Sequence, residues 1–223
     1  ILSFIGEVVM TVIVDWLNSQ AFAVAGQSFA VVEVVGFVTG ALCVWAVTRQ
    51  FTWNWPVGIA NNIVFLVLFL GAGLYAGSAL QIAFAAVGAY GWWKWRRGDV
   101  APATLPVRRA RAAEAVGGVL AVGVGTVVVA QLLNVHTDST VPWPDAFILT
   151  ASLLATWGQA RKILEQWWVW ITVDVVSIPL YAHKGLWLTA VLYTGFLALC
   201  IDGLRRWRTD FADQTAADEK VAA

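Results

Sequence analysis

Charge is scarce in this sequence. Only 13% of its 223 residues are charged and 60% are hydrophobic, with a mean hydropathy of +0.73, whereas an average soluble domain carries about 25% charged residues. This composition excludes a water-soluble globular domain. The stretches 29–48 and 112–131 each contain a single charged residue and are long enough for a helix to cross a bilayer. We therefore predict an all-α polytopic protein whose main partner is the lipid bilayer.

Several chemical motifs are also missing. The sequence has no glycine-rich phosphate loop, no HExxH and no GxSxG. Its two cysteines, Cys43 and Cys200, lie in apolar segments and are interpreted as packing residues. The two histidines, His136 and His183, have no second ligand at metal spacing. We expect no metal, no cofactor, no nucleic-acid partner and no enzymatic activity, so any function lies between the helices.

Turn residues and charges divide the apolar sequence into seven predicted transmembrane spans. The spans are 29–48, 55–73, 77–95, 113–132, 145–162, 164–183 and 185–203. Of the 14 Lys and Arg residues, all but Lys184 follow spans one, three, five and seven. Because cytoplasmic loops collect basic residues, this distribution predicts an N-terminus outside the cell and a cytoplasmic C-terminus.

The sequence contains an internal repeat. Shifting it by 112 residues aligns 29–95 with 141–207 without a gap and gives 15 identities in 67 positions. The matches include rare residues, among them Trp45 on Trp157 and Arg49 on Arg161. A three-helix unit is therefore duplicated, and span four connects the copies so that both cross the membrane in the same sense.

The repeat sets the domain boundaries. We expect an N-terminal interfacial segment at 1–28, a first three-helix repeat at 29–95, a cytoplasmic loop with connector helix four at 96–140, a second repeat at 141–207 and a disordered cytoplasmic tail at 208–223. The interfacial helix covers 1–16. A signal peptide is the alternative there, but its basic n-region is missing.

Parallel repeats in transporters place the substrate near the bilayer midplane, between the copies. We therefore searched spans two, three, six and seven for polar residues at matching depth. Span six carries Trp167, Trp170 and Asp174 on one helix face, at i, i+3 and i+7. The complete set of predicted substrate-binding residues is Trp167, Trp170, Asp174, Asn61, Asn62, Gln81 and Tyr193.

Each candidate also has a structural explanation. Trp170 serves substrate stacking or packing equally well. The amides at 61, 62 and 81 can hold helices together, and a protonated Asp174 can do the same, although an ionisable group at this depth usually has a function. The tryptophans at span ends are assigned to aromatic belts; they are Trp53, Trp55, Trp92, Trp93, Trp95, Trp143 and Trp207.

The span-six motif Trp167-x-x-Trp170-x-x-x-Asp174, the Trp53-Asn54-Trp55-Pro56 start of span two and the segment Tyr90–Trp95 together resemble the PnuC family of bacterial vitamin transporters. The resemblance covers about 15–208. It implies seven helices in a three-plus-one-plus-three order, in the bacterial inner membrane, that carry a nucleoside-like vitamin by facilitated diffusion. It also implies a homotrimer and a cytoplasmic kinase that traps the substrate.

The substrate stays open at this stage, because the family motif has asparagine where this sequence has Asp174. Nicotinamide riboside and thiamine carry a cationic ring that Trp170 and a carboxylate would attract, whereas riboflavin is neutral. We rank nicotinamide riboside first, with thiamine and riboflavin as alternatives.

A seven-helix sensor or receptor is the alternative of a different class. A retinal protein is excluded because Lys94, Lys162, Lys184 and Lys220 all lie away from the middle of a span.

Overall fold

The computed structural model describes residues 16, 19–24, 27–71, 75–97, 105–137 and 140–222. They form a two-stranded antiparallel hairpin followed by seven helices. The elements are β1 (Gln20–Val24), β2 (Gln27–Ala30), α1 (Val31–Thr48), α2 (Asn54–Gly71), α3 (Tyr75–Arg96), α4 (Ala112–His136), α5 (Pro142–Ala160), α6 (Gln166–His183) and α7 (Trp187–Ala222). The described helices confirm the seven predicted spans. Their ends lie within four residues of the predictions, except at the end of α7.

The N-terminal segment differs from the prediction. The hairpin β1–β2 occupies part of the segment 1–28 that was expected to be interfacial, and it pairs Val24 with Gln27 and Gln20 with Ala30. The sequence interpretation missed β2 because the apolar residues from 29 onward were assigned to span one. The expected helix over 1–16 falls almost entirely outside the described residues.

The C-terminal tail is helical, so the prediction of disorder over 208–223 is wrong for the described part. Helix α7 continues to Ala222. The tail is rich in alanine, which has the highest helix propensity. Its first turn is also packed: Asp210 Oδ2 accepts a hydrogen bond of 2.6 Å from Gln50 Nε2, and Phe211 lies against the buried core.

Helices α1 and α5 end in the same way, 112 residues apart. Gln50 and Lys162 both have positive φ, 57° and 48°. A residue in the left-handed region ends many helices because it turns the chain back over the last carbonyls. The bonds match as well: the amide of Phe51 donates to the carbonyl of Ala46 at 2.9 Å, and that of Ile163 to Gly158 at 2.9 Å.

Buried tryptophan rings also recur at this spacing. Trp55 meets Trp95 edge to face at 5.4 Å, and Trp167 meets Trp207 edge to face at 5.5 Å. Trp95 and Trp207 lie 6.3 Å apart, so the four rings form one continuous ladder from the first unit to the second. We call Trp55, Trp95, Trp207 and Trp167 the tryptophan ladder.

The ladder corrects part of the aromatic-belt assignment. Trp55, Trp95 and Trp207 are only 4%, 6% and 0% exposed, so they are core residues and the prediction of a belt position is wrong for them. Trp53 and Trp93 are exposed, as a belt position requires. Sequence position at a span end does not distinguish a ring that faces lipid from one that faces a neighbouring helix.

The helices pack with the same pattern in both units. Helix α2 packs against α3, and α6 against α7; between the units, α1 packs against α7 and α5 against α3. Helix α4 packs on α5, where Gly118 makes room for Leu154, and it exposes a row of valines. By length and hydropathy alone, α4 and the segment 187–220 of α7 are long and apolar enough to cross a membrane.

Candidate substrate site

A cavity of about 410 Å³ lies between the two three-helix units. Small-molecule sites commonly enclose about 300–1,000 Å³, so the cavity has the size of a ligand site. Its described wall comes from six helices, all except α4, and all seven residues predicted to bind substrate line it. Their common location is what the repeat predicted, while their role in binding stays a prediction.

Helix α6 contributes three of the predicted residues, and they differ in environment. Trp167 is 1% exposed and its ring packs against Trp207 and Gly203, so it is mainly a core residue with one edge at the cavity. Trp170 is half-buried, and within the described part of the chain no other ring stacks on it. Of these two rings, Trp170 is therefore the one available for stacking on a ligand.

Asp174 lies one turn beyond Trp170 and is 3% exposed. Its carboxyl group contacts the thiol of Cys200, and its Oδ2 atom has no hydrogen-bond partner among the described residues. It is the single ionisable acid or base among the described residues that line the cavity. A buried polar atom without a partner is rare in proteins, so Oδ2 is available to a ligand.

The amides on α2 and α3 divide into two groups. Asn61 Nδ2 donates to Thr39 Oγ1 at 2.8 Å, which ties α2 to α1 and leaves the carbonyl of Asn61 for other partners. Asn62 and Gln81 line the cavity without a hydrogen bond to any described residue. Asn61 is thus partly structural, whereas Asn62 and Gln81 present both donors and acceptors to the cavity.

Tyr193 on α7 belongs to an aromatic group. Its ring lies 5.0 Å from that of Tyr181 and 5.5 Å from that of Phe196, the latter edge to face. These contacts fix the ring at the cavity wall. By the repeat, Tyr193 stands where the first unit has Gln81.

The sequence search missed the contribution of α1 and α5, because it covered only spans two, three, six and seven. From α5, Ser152, Thr156 and Gln159 line the cavity. Their i, i+4 and i+7 spacing was the available signal. It is weak in sequence, since serine and threonine inside a helix often bond only to the backbone of the preceding turn.

The tryptophan ladder closes one end of the cavity. Trp55 and Trp167 line the cavity, and beyond them the buried Lys162 places Nζ 4.7 Å from the centre of the Trp95 ring. Lys162 Nζ also donates to Gln50 Oε1 at 2.7 Å. Aromatic rings, a cation and hydrogen bonds thus join the two units at the end of the molecule where the basic residues gather.

Comparison with solved structures defines the class of protein. The fold matches the structure titled "Crystal structure of the Vitamin B3 transporter PnuC" with a TM-score of 0.63, at 22% identity and with 82% of each chain covered. This likeness shows the fold, that of a multi-pass membrane transporter.

The chain belongs to the nicotinamide mononucleotide transporter (PnuC) family, whose model matches residues 30–209. It is 35% identical to the riboflavin/roseoflavin transporter RibM of Streptomyces davaonensis, covering 86% of this chain and 92% of the relative. It is 26% identical to the nicotinamide riboside transporter PnuC of Escherichia coli, covering 82% and 87%. The relatives are transporters of vitamins, and the family resemblance found in the sequence is confirmed.

Proposed function

We propose that the chain carries riboflavin across the membrane by facilitated diffusion through the cavity between the two three-helix units. The composition of the cavity wall carries this proposal. Apart from Asp174, its described residues are uncharged: aromatic rings, amides, hydroxyls and small apolar side chains. A neutral, flat heterocycle with a hydroxylated side chain fits such a wall. The 35% identity to a riboflavin/roseoflavin transporter over most of both chains supports the same choice.

The isoalloxazine ring of riboflavin matches the polar groups by its chemistry. Its flat face suits stacking on Trp170, and its dione edge offers carbonyl acceptors and one N–H donor for Asn62 and Gln81. A protonated Asp174 offers one donor and one acceptor, as the family's asparagine does. It also avoids the cost of about 2.5–3.5 kcal/mol for a charge at the centre of a membrane helix.

Nicotinamide riboside is the second candidate, and Asp174 is the observation that favours it. The ranking from sequence placed this vitamin first. No basic side chain lines the described part of the cavity, so a cationic ring stacked on Trp170 would neutralise an ionised Asp174. The two candidates thus make opposite assumptions about the charge of one carboxyl group.

Several further expectations accompany the proposal. We expect passive transport, since the described cavity wall holds one carboxyl group and no second ionisable acid or base to relay protons. We also expect an outside N-terminus, a cytoplasmic C-terminus, a homotrimer and a kinase that traps the entering vitamin. The basic residues of the printed sequence, 13 of 14 on one side, support this orientation.

Equilibrium binding to the purified protein tests the substrate. Isothermal calorimetry with riboflavin, nicotinamide riboside and thiamine under identical conditions should give the lowest Kd for riboflavin, by at least about tenfold, or ~1.4 kcal/mol. Tighter binding of nicotinamide riboside would replace the first candidate with the second. Binding of none of the three would contradict a vitamin site in this cavity.

A further inference from the structure

One wall of the cavity is a polar stripe on α5, formed by Ser152, Thr156 and Gln159. These residues follow one another at i, i+4 and i+7, so they share one face of the helix. Ser152 is 8% exposed, while Thr156 and Gln159 are half-buried. Over seven residues the stripe extends about 10 Å along the helix axis.

The hydrogen-bonding groups of the α5 stripe are largely unused. Thr156 Oγ1 donates to the carbonyl of Ser152 at 2.8 Å, which leaves the lone pairs of the hydroxyl oxygen to accept. The side chains of Ser152 and Gln159 make no hydrogen bond to any described residue. The stripe therefore offers hydroxyl and amide donors and acceptors side by side, and polar groups at such depth normally have partners.

The repeat shows that this polarity is specific to one wall. The counterparts of Ser152, Thr156 and Gln159, 112 residues earlier, are Gly40, Val44 and Val47 on α1. These three residues line the same cavity. One backbone arrangement thus carries an apolar wall in the first unit and a hydrogen-bonding wall in the second.

We propose that the α5 stripe binds the hydroxylated chain of the substrate, the ribityl chain of riboflavin or the ribose of a nucleoside, and so fixes the direction in which the molecule lies between the units. The inference rests on the proposed function and adds a second subsite to it. The heterocycle then lies against Trp170 and the amides of α2 and α3. Thiamine, which lacks a sugar-like chain, cannot use this subsite.

Ligand pairs with and without the hydroxylated chain test the subsite. Lumiflavin keeps the ring of riboflavin and has a methyl group in place of the ribityl chain. Thr156→Val and Gln159→Leu should each lower the affinity for riboflavin about fivefold to tenfold, the range for loss of one hydrogen bond. Both variants should leave the lumiflavin affinity within twofold of wild type, which also shows that the ring site is still folded.

The matched control exchanges a residue between the two walls. In the double variant Val44→Thr with Thr156→Val, the same hydroxyl is moved to α1. The riboflavin affinity should stay as low as in Thr156→Val alone, because Ser152 and Gln159 still hold the chain on the α5 side. Recovery to the wild-type value would mean that the substrate binds either way round and would overturn the proposed direction.

The outcomes separate the subsite from the function. Equal losses for riboflavin and lumiflavin, or no loss for either, would overturn the subsite while the wild-type protein still binds a flavin. If wild type binds nicotinamide riboside instead, the pair nicotinamide riboside and N1-methylnicotinamide takes the same place, and a loss confined to the riboside supports the subsite. Wild-type protein that binds neither vitamin contradicts the proposed function, and the subsite with it.

Discussion

The two three-helix units share a frame and differ at the surface that the frame encloses. The frame contacts match in kind and distance: Arg49 lies 5.2 Å over the ring of Trp45, and Arg161 lies 4.8 Å over that of Trp157. At the cavity the same positions diverge. The first unit has glycine at Gly58, where the second has Trp170.

The divergence follows a direction. Gly40, Gly58 and Gly88 of the first unit correspond to Ser152, Trp170 and Cys200 of the second, and all six residues line the cavity. The first unit thus provides space, and the second provides side chains that contact a ligand. A duplicated protein can keep the contacts that hold its units together while the cavity between them becomes asymmetric and suited to an asymmetric substrate.

The largest expected effect breaks the shared frame. A Cβ atom added at Gly91 or Gly203 would lie 2.5 Å from the ring of Trp55 or Trp167. Gly91→Ala and Gly203→Ala should each lower the free energy of unfolding by about 3 kcal/mol, since overpacking of a buried core forces neighbours to move. Thermal unfolding in detergent measures this loss.

The control for the frame variants is Gly195→Ala, where no atom lies within 4 Å of the added methyl group. Alanine is the better helix former there, so its stability should equal or exceed that of wild type. A frame that is shared should respond alike in both units. A large loss for one variant and none for the other would show that the two units are held together differently.

The next effect concerns the stacking residue. Trp170→Ala should weaken binding of the vitamin by about 1–3 kcal/mol, because a base-like ring loses its aromatic partner. Trp53→Ala is the matched control, since Trp53 is 38% exposed and lies outside the cavity wall. Calorimetry that gives equal losses for the two variants would assign Trp170 to packing.

A smaller effect concerns the charge that has no counterpart in the first unit, where Asn62 stands at the position of Asp174. Asp174→Asn should lower the affinity for nicotinamide riboside at least about fivefold, or ~1 kcal/mol, and leave riboflavin within twofold. Removing the charge matters only to a cationic ring. Asp202→Asn, at an exposed ion pair with Arg206, should change neither affinity. Unchanged affinities in Asp174→Asn would make Asp174 a structural hydrogen-bonding residue.

The smallest effect distinguishes the two left-handed residues, Gln50 and Lys162. Burial lowers the pKa of Lys162 from 10.5 to about 8, and Asp210 offsets part of this shift. Because the folded protein then binds fewer protons than the unfolded chain between about pH 8 and 10.5, wild-type stability should rise with pH across this interval.

Lys162→Gln makes the two positions alike and removes that contribution. The melting temperature of wild type, measured relative to Lys162→Gln from pH 7 to 10, should therefore increase with pH. A constant difference would mean that Lys162 titrates at the same pH in the folded and unfolded states.

Much of the frame could be predicted from sequence, because rare residues recur at one spacing. Tryptophan and arginine pairs revealed the repeat, and the repeat directed attention to Asp174, Gln81 and Tyr193, all of which line the cavity. The direction in which a span-end tryptophan faces could not be predicted. It depends on helix rotation, which hydropathy does not determine when lipid and protein neighbours are equally apolar. The α5 stripe was missed for the same reason.

The central claim is that the cavity between the units is a passive path for the vitamin. Labelled riboflavin uptake by kinase-free liposomes containing the pure protein tests it most directly, with Trp170→Ala in parallel. We predict that the internal concentration of wild-type liposomes rises to the external one and stops, with or without a proton or sodium gradient, and that Trp170→Ala equilibrates more slowly at low riboflavin. Accumulation above the external concentration, or uptake no faster than in protein-free liposomes, would contradict the account.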